Sequence, residues 1–375
     1  MSVNMQPSEA SDQSSDDIAR FANELVIDER IPRICPGFDV PFYQAGLAGY
    51  SDGAMRLIAR KHGCPFCVTE ALLDRTLING GKGRRREDPN LLAEEAASGD
   101  IEGNTAAGLD DHPIAGQVIG TNPDEMAKGA LILSEMGYDM IDVNLACPVK
   151  KVRRRNRGGH FLCAPQEACD ILSAVREIVP CKLPISVKMR RGWDDTKLSE
   201  KNFYTVFDHA YEVGFSWVTV HARTVEQRYK GPSRWAFLQQ LVESRSDRLI
   251  FGSGDIWCAA DIFRMLEQTG VKGVSVARGC IGNPWIFMQA RALMAGKKPK
   301  PPTLEEQRSA LLDHIDLCIR LHGEKPASRM MRKFGIRFAT HHPTPEEVKN
   351  EFIQVESMQG WKSVVEEYYS PRSNC

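Results

Sequence analysis

The segment of the chain with the most chemical promise is Asn144-Leu145-Ala146-Cys147-Pro148. An apolar run leads into it, Pro148 forces a turn, and six of the eight residues from Lys150 to Arg157 are Lys or Arg. A cysteine placed this way is a candidate acid or nucleophile, because nearby positive charge lowers a thiol pKa and draws polyanions. Other apolar runs also end in reactive residues: Thr69-Glu70, Gln117, Lys188-Met189-Arg190 and His221-Ala222-Arg223-Thr224. Lys188 can stabilise negative charge on an electron-rich ring such as a flavin, and Gln117 and His221 can hydrogen-bond the same ring. Two further runs end in Gly252-Ser253-Gly254-Asp255 and Ala277-Arg278-Gly279. Glycines at strand-to-helix turns let backbone amides approach a phosphate, and the following helix adds its positive end.

These residues need a scaffold that brings strand ends together. Eight apolar or β-branched runs recur between helix-period segments: Pro41–Gly46, Phe66–Leu72, Ile114–Ile119, Met140–Leu145, Ile185–Met189, Trp217–His221, Leu249–Ser253 and Gly273–Ala277. Eight strand-then-helix units predict an α/β fold, a (β/α)8 TIM barrel. In such barrels the working residues lie at the C-terminal strand ends, and the loops after strands 7 and 8 commonly grip phosphate. The second connection, Asp74–His112, is long and rich in Gly, Arg and Glu, which marks a functional or mobile loop. Lys297–Pro302 reads as a linker, and residues 303–375 show only helical signals, a small C-terminal all-helical domain. Residues 1–38 hold seven acidic and three basic residues and read as a disordered tail with a short helix near Ala19–Val26.

Composition excludes several classes. No run approaches the ~18–20 apolar residues of a membrane helix, and the acidic, Ser-rich N-terminus is not a secretory signal. A cytoplasmic protein is expected. The 11 cysteines are odd in number and irregularly spaced, which fits buried thiols rather than a disulfide framework. Cys64 and Cys67 form one CxxC that no second pair completes, so no metal site is expected. The net charge of −1 conceals segregation: residues 145–191 carry eleven basic and three acidic residues. Lys82, Arg84, Arg85 and Arg86 form a second basic cluster, and Arg329, Arg332, Lys333 and Arg337 a third at helical spacing. Three such clusters point to a polyanionic substrate.

Taken in order, these motifs resemble the tRNA-dihydrouridine synthase family, the bacterial B-type branch most of all. The resemblance spans about residues 40–340 and is strongest at Asn144–Val152, close to the family's Asn-x-Gly-Cys-Pro signature. Supporting segments are Ala48–Asp52, Val187–Trp193, Val220–Thr224, Gly252–Ile256, Ala277–Gly279 with Gly282–Trp285, and Met331–Phe334. Ala45-Gly46-Leu47-Ala48-Gly49 departs from the family's Ala-Pro-Met-Ala-Gly, Ala146 stands for the usual Gly, and Ser253 for the Asn of Asn-Gly-Asp. The resemblance implies an FMN-binding barrel over residues 39–296 and an RNA-binding helical domain over 303–375. It implies reduction of the uridine C5–C6 double bond with NADPH, hydride going from flavin N5 to C6 and a proton from Cys147 to C5. The flipped-out base belongs to tRNA or another RNA. Asn144, Lys150, Lys151, Arg190, Arg223 and Arg332 are then expected to meet the RNA. Ala45, Gln117, Lys188, His221, Ser253, Gly254, Asp255, Ala277, Arg278 and Gly279 are expected to hold FMN. A monomer is expected.

Two other readings stand beside this one. One is an FMN-dependent barrel reductase acting on an rRNA uridine or on a small enone or pyrimidine. The other is an RNA-binding barrel without catalysis. The basic loops weigh against a small substrate, and Cys147, Lys188 and His221 against a silent barrel.

Overall fold

The computed structural model describes residues 15–79 and 111–370. Lys82, Arg84, Arg85 and Arg86, most of the Asp74–His112 connection and the first 14 residues lie outside this set.

Eight parallel strands close into one barrel in sequence order. They are β1 (Phe42–Gln44), β2 (Cys67–Leu73), β3 (Ile114–Ile119), β4 (Met140–Leu145), β5 (Ile185–Arg190), β6 (Trp217–His221), β7 (Ile250–Ser253) and β8 (Gly273–Val276). The expected (β/α)8 TIM barrel is therefore the observed fold. Helices α3 (Gly53–Lys61), α4 (Asp74–Ile78), α5 (Pro123–Glu135), α6 (Lys150–Arg153), α7 (Pro165–Ile178), α8 (Lys197–Glu212), α9 (Trp235–Ser244), α10 (Ala259–Thr269) and α11 (Trp285–Met294) follow the strands in turn. Their starts carry the usual signals. Asn122 accepts from the amides of Asp124 and Glu125 ahead of α5, and Pro123 and Pro165 open α5 and α7. Among the described residues no helix is long and apolar enough to cross a membrane.

Residues 15–38 differ from the expected tail. Helices α1 (Ser15–Glu24) and α2 (Arg30–Ile34) pack onto the barrel. Ile18 and Ala22, four residues apart, are 1% exposed and belong to the main core. Ile31, Cys35 and Phe38 close the bottom of the barrel against Tyr43, Phe66, Trp217 and Phe251. Phe38 stacks on Phe66 at 5.0 Å, and Trp217 on Phe251 at 4.8 Å. Burial of this apolar stripe offsets the acidic composition of the segment.

Beyond α11 come helices α12 (Leu304–His322), α13 (Glu324–Phe338), α14 (Pro345–Gln354) and α15 (Met358–Tyr369). Thr303 and Glu306 form a capping box at the start of α12. This helical region rests on the side of the barrel where β1 and β8 meet. Its contacts are the Lys61–Asp313 ion pair, His322 Nε2 to Asp52 at 2.8 Å, and Lys333 Nζ donating to the Gly49 carbonyl at 2.7 Å. Gly282, after β8, lies so close to α13 that a Cβ there would meet Arg337 at 2.5 Å.

Candidate active site

The strand register assembles the site. Gln117, Asp142 and Ser186 are neighbours across β3, β4 and β5, and one pleat higher Asn144 is paired with Lys188. Alternation along a strand sends both layers of polar side chains to the same face. Ser186 Oγ donates to Asp142 Oδ1 at 2.6 Å, and Gln117 Nε2 donates to Oδ2 at 2.7 Å. Asn144 Nδ2 donates to Gln117 Oε1 at 2.7 Å. Asn144 Oδ1 in turn accepts from the backbone amides of Ala146 (3.0 Å) and Cys147 (3.1 Å). The cysteine is thus held by a turn that its own strand caps.

Cys147 is half-buried at the mouth. Burial raises its thiol pKa, and the positive Arg190 only partly opposes this. The basic segment from Lys150 was expected to lower it, but those side chains point elsewhere. Lys150 is exposed, Arg153 covers the Trp193 ring at 4.9 Å, and Arg157 is buried. The side chain of Lys151 lies outside the described residues. A thiol that keeps its proton at neutral pH is suited to giving one up to a strongly basic carbon.

Lys188 donates to Ser275 Oγ at 3.1 Å. Burial lowers its pKa to about 8, with Asp142 holding it up and Arg190 pushing it further down. His221 Nδ1 lies 3.5 Å from Ser253 Oγ, while the buried Nε2 has no hydrogen-bond partner among the described residues. Desolvation and the positive charges of Arg190, Lys188, Arg223 and Arg278 hold His221 well below its usual pKa, so the ring is neutral. At the β7 turn, Gly254 has φ +118°, and a Cβ there would meet Ser233 Oγ at 2.3 Å and His221 at 3.2 Å. Only glycine fits beside that histidine.

The arginines divide differently from expectation. Arg190 is 3% exposed and donates to the carbonyls of Ala146 (2.9 Å), Thr224 (2.9 Å) and Arg228 (2.8 Å). It brackets the loops after β4 and β6 and has little surface to offer an RNA backbone. Arg223 donates to both oxygens of Asp255 at 2.6 and 2.7 Å and to the Gly231 carbonyl. Asp255 also accepts from the Ser233 amide at 2.7 Å, and Arg278 approaches it at 3.8 Å. Asp255 is thus a partner for arginine; a carboxylate would repel a phosphate directly. Arg278 lies between the rings of Tyr229 (5.0 Å) and Trp257 (4.8 Å). The remaining sequence candidates take backbone positions. Ala45 donates its amide to Val276 at 2.9 Å, and Ala277 and Gly279 shape the short helical turn after β8. Arg332 is exposed on α13.

Two site residues, Asp142 and Tyr229, were not singled out in the sequence, and a third, Glu70, was named there only as a strand-end residue with no role given to it. Asp142 lies inside an apolar strand run, two residues before Asn144. Tyr229 is 52% exposed and also faces Arg190 at 5.6 Å. Its only sequence signal was an aromatic between Arg228 and Lys230 in a strand-end loop. Glu70 is 8% exposed at an irregularity of β2, and burial pushes its carboxyl up to about 7.

The mouth fits a flavin phosphate and ring. Gly254 opens a place beside the unpartnered His221 Nε2, Arg223 and Arg278 supply positive charge at the ends of β6 and β8, and Lys188 offers a cation that readily changes protonation. Fold and site together define a (β/α)8-barrel enzyme of the flavin-dependent oxidoreductase class. The model of the family described as "Dihydrouridine synthase (Dus)" matches residues 43–372, and the chain belongs to that family. "Probable tRNA-dihydrouridine synthase" of Treponema pallidum is 30% identical over 302 residues, 79% of this chain and 83% of that one. "tRNA-dihydrouridine synthase B" of Xanthomonas campestris is 28% identical over 326 residues, 87% and 91% of the two chains. The solved histamine dehydrogenase of Rhizobium sp. 4-9 superposes with a TM-score of 0.55 at 13% identity. That superposition covers 80% of this chain and 51% of the dehydrogenase, about half its length, and the likeness is one of fold.

Proposed function

We propose that the protein reduces the C5–C6 double bond of uridines in tRNA to 5,6-dihydrouridine, with FMN as resident cofactor and NADPH as reductant. The observation that carries this reading is the turn in which Asn144 holds a protonated Cys147 at the mouth that Lys188 and His221 also line. Lys188, His221, Gln117, Gly254, Arg278 and Gly279 would hold the cofactor, its phosphate at the turns after β7 and β8. When bound and reduced, the flavin supplies the hydride for uracil C6.

The residues of this chain account for the rest. C6 is the β-carbon of a conjugated carbonyl, so charge develops on C5 and O4. Cys147 Sγ–H gives its proton to C5, and solvent restores it. Asn144 faces the base, and a neutral His221 donates or accepts a hydrogen bond without adding charge. Tyr229, flanked by two guanidinium groups, offers a stacking face at the rim. The helical region over 303–375 is read as the RNA-binding domain. Lys333 at the β1 loop and Arg337 at the β8 turn support this, since they continue positive charge from the mouth onto α13, where Arg332 is exposed. Lys150 is read as extending it on the opposite rim. The enzyme is read as a cytoplasmic monomer.

Nucleoside mass spectrometry of RNA from a deletion strain tests the reading. Dihydrouridine should fall in tRNA and return with the wild-type gene but not with Cys147→Ala. Loss confined to rRNA would replace the substrate, and unchanged dihydrouridine in both RNAs, in a strain without a paralogue, would refute the reaction. The purified protein should be yellow and release FMN on denaturation.

A further inference from the structure

We propose that Asp142, buried below the mouth, is a positioning residue that sets the amide orientations of Gln117 and Asn144 and thereby the turn carrying Cys147. The inference rests on the reading of Cys147 as the residue that delivers the proton.

The polarity of the chain of hydrogen bonds is fixed at both ends. Asp142 accepts from Ser186 on one oxygen and from the Gln117 NH2 group on the other, 2.7 Å away; burial raises its pKa, and these two hydrogen bonds and Lys188 oppose the rise. That leaves Gln117 Oε1 facing Asn144, which must present its own NH2 at 2.7 Å. Asn144 Oδ1 is then the atom that meets the turn, where the amides of Ala146 and Cys147 can only donate. The carboxylate anchors the buried end of this chain and the two backbone amides its other end, and no flipped amide satisfies it. Gln117 is 2% and Asp142 4% exposed, so water does not substitute for a missing partner. The far side of the turn is pinned independently, by the Gly159 amide donating to the Cys147 carbonyl at 3.0 Å and by Arg190 on the Ala146 carbonyl at 2.9 Å. Asp142 therefore governs the tilt of the turn rather than its existence. Its direct hydrogen bonds are to Ser186 and Gln117, below the mouth, and its charge also bears on Lys188.

Three variants separate this role from a merely structural one. Asp142→Ala leaves the Gln117 NH2 group without its acceptor, so the amide chain loses its fixed end. Asp142→Asn keeps an acceptor oxygen for Gln117 and can donate to Ser186 Oγ. Ser186→Ala removes the other hydrogen bond to Asp142, at 2.6 Å, and leaves the amide chain whole. The readout is the rate of Cys147 alkylation by iodoacetamide in the full-length protein at neutral pH, followed by peptide mass spectrometry, with kcat and KM for tRNA measured in parallel. In Asp142→Ala, alkylation should rise about tenfold as the half-buried thiol gains exposure, and kcat should fall more than KM rises. Asp142→Asn should restore the wild-type alkylation rate, and Ser186→Ala should keep it. If Asp142→Ala does not fold, Asp142→Leu, which removes the same acceptor and refills its volume, takes its place with the same expected rise. Faster alkylation in Ser186→Ala equal to that in the variant lacking the acceptor would overturn the proposal, as would an unchanged rate in that variant when folded. Alkylation needs no substrate, so failure of the uridine reading appears only in the tRNA assay and the two failures are distinguishable.

Discussion

Replacing Asp255 by Asn isolates one charge in the mouth. Asn keeps the shape and tolerates the left-handed backbone that Asp255 adopts at φ +56°. What is lost is the carboxylate that pairs with Arg223, whose side chain is 4% exposed against 8% for Asp255. Breaking a buried pair by neutralising one partner costs about 3–5 kcal/mol, because the remaining charge is left buried and uncompensated. Arg278 and Arg190, in the same cluster, then add unscreened repulsion, so the upper half of that range is expected. The assay is guanidinium unfolding of flavin-free protein, followed by tryptophan fluorescence. Repeating it in an Arg223→Met background should reduce the cost of Asp255→Asn by about 2–3 kcal/mol, the coupling of the pair. Inorganic phosphate should stabilise Asp255→Asn more than wild type, by up to about 2.7 kcal/mol at a hundred times its Kd. A loss under about 1 kcal/mol, or strict additivity with Arg223→Met, would refute the view that this carboxylate holds the arginine cluster together.

Other perturbations have equally definite outcomes. Lys188 has a pKa near 8, so kcat/KM should fall as pH rises through about 8, and Lys188→Ala should lose that limb while still folding. Cys147→Ala should keep its flavin and lose roughly 10²–10⁴-fold in turnover, with stopped-flow reduction by NADPH unchanged. Tyr229→Ala should raise KM for tRNA about tenfold and leave flavin content intact, the effect of losing one stacking face. His314 is 1% exposed and neither ring nitrogen has a partner among the described residues, and burial lowers its pKa to about 4 from 6.5. The unfolded chain takes up that proton first as pH falls, so stability is intact above 6.5 and declines towards pH 4, by about 3 kcal/mol from this residue. His314→Phe should flatten that part of a urea-unfolding pH profile.

The barrel was legible because each strand is an apolar run ending in glycine or a reactive polar residue. The observed strand ends fall within two residues of those runs, β1 being shorter than Pro41–Gly46. The helices of the C-terminal region were legible from their caps and periodicity. Residues 15–38 were not, because an acidic average masks the helical spacing of Ile18 with Ala22 and of Ile31 with Cys35, and the aromatic floor they meet comes from distant strands. In the site, position at a strand end identified Cys147, Lys188 and His221. It could not tell which arginines are already committed: Arg190 to three carbonyls and Arg223 to Asp255 are pairings that only the fold creates. Asp142 was hidden because an acid within a strand of apolar residues carries no local mark; its meaning lies in the neighbours across the sheet.

The seam between the first and last strands has a consequence for how the molecule is made. β1 has three residues and a single paired position with β2, and it depends on β8 for the rest of its ladder. The loop after it is tied down by Asp52 to His322 and by Gly49 to Lys333, both from the last quarter of the chain. A ribosome that has released β8 has therefore produced every catalytic group but not the clasp that shuts the ring. The β1 loop at the mouth acquires these two ties only once α12 and α13 emerge.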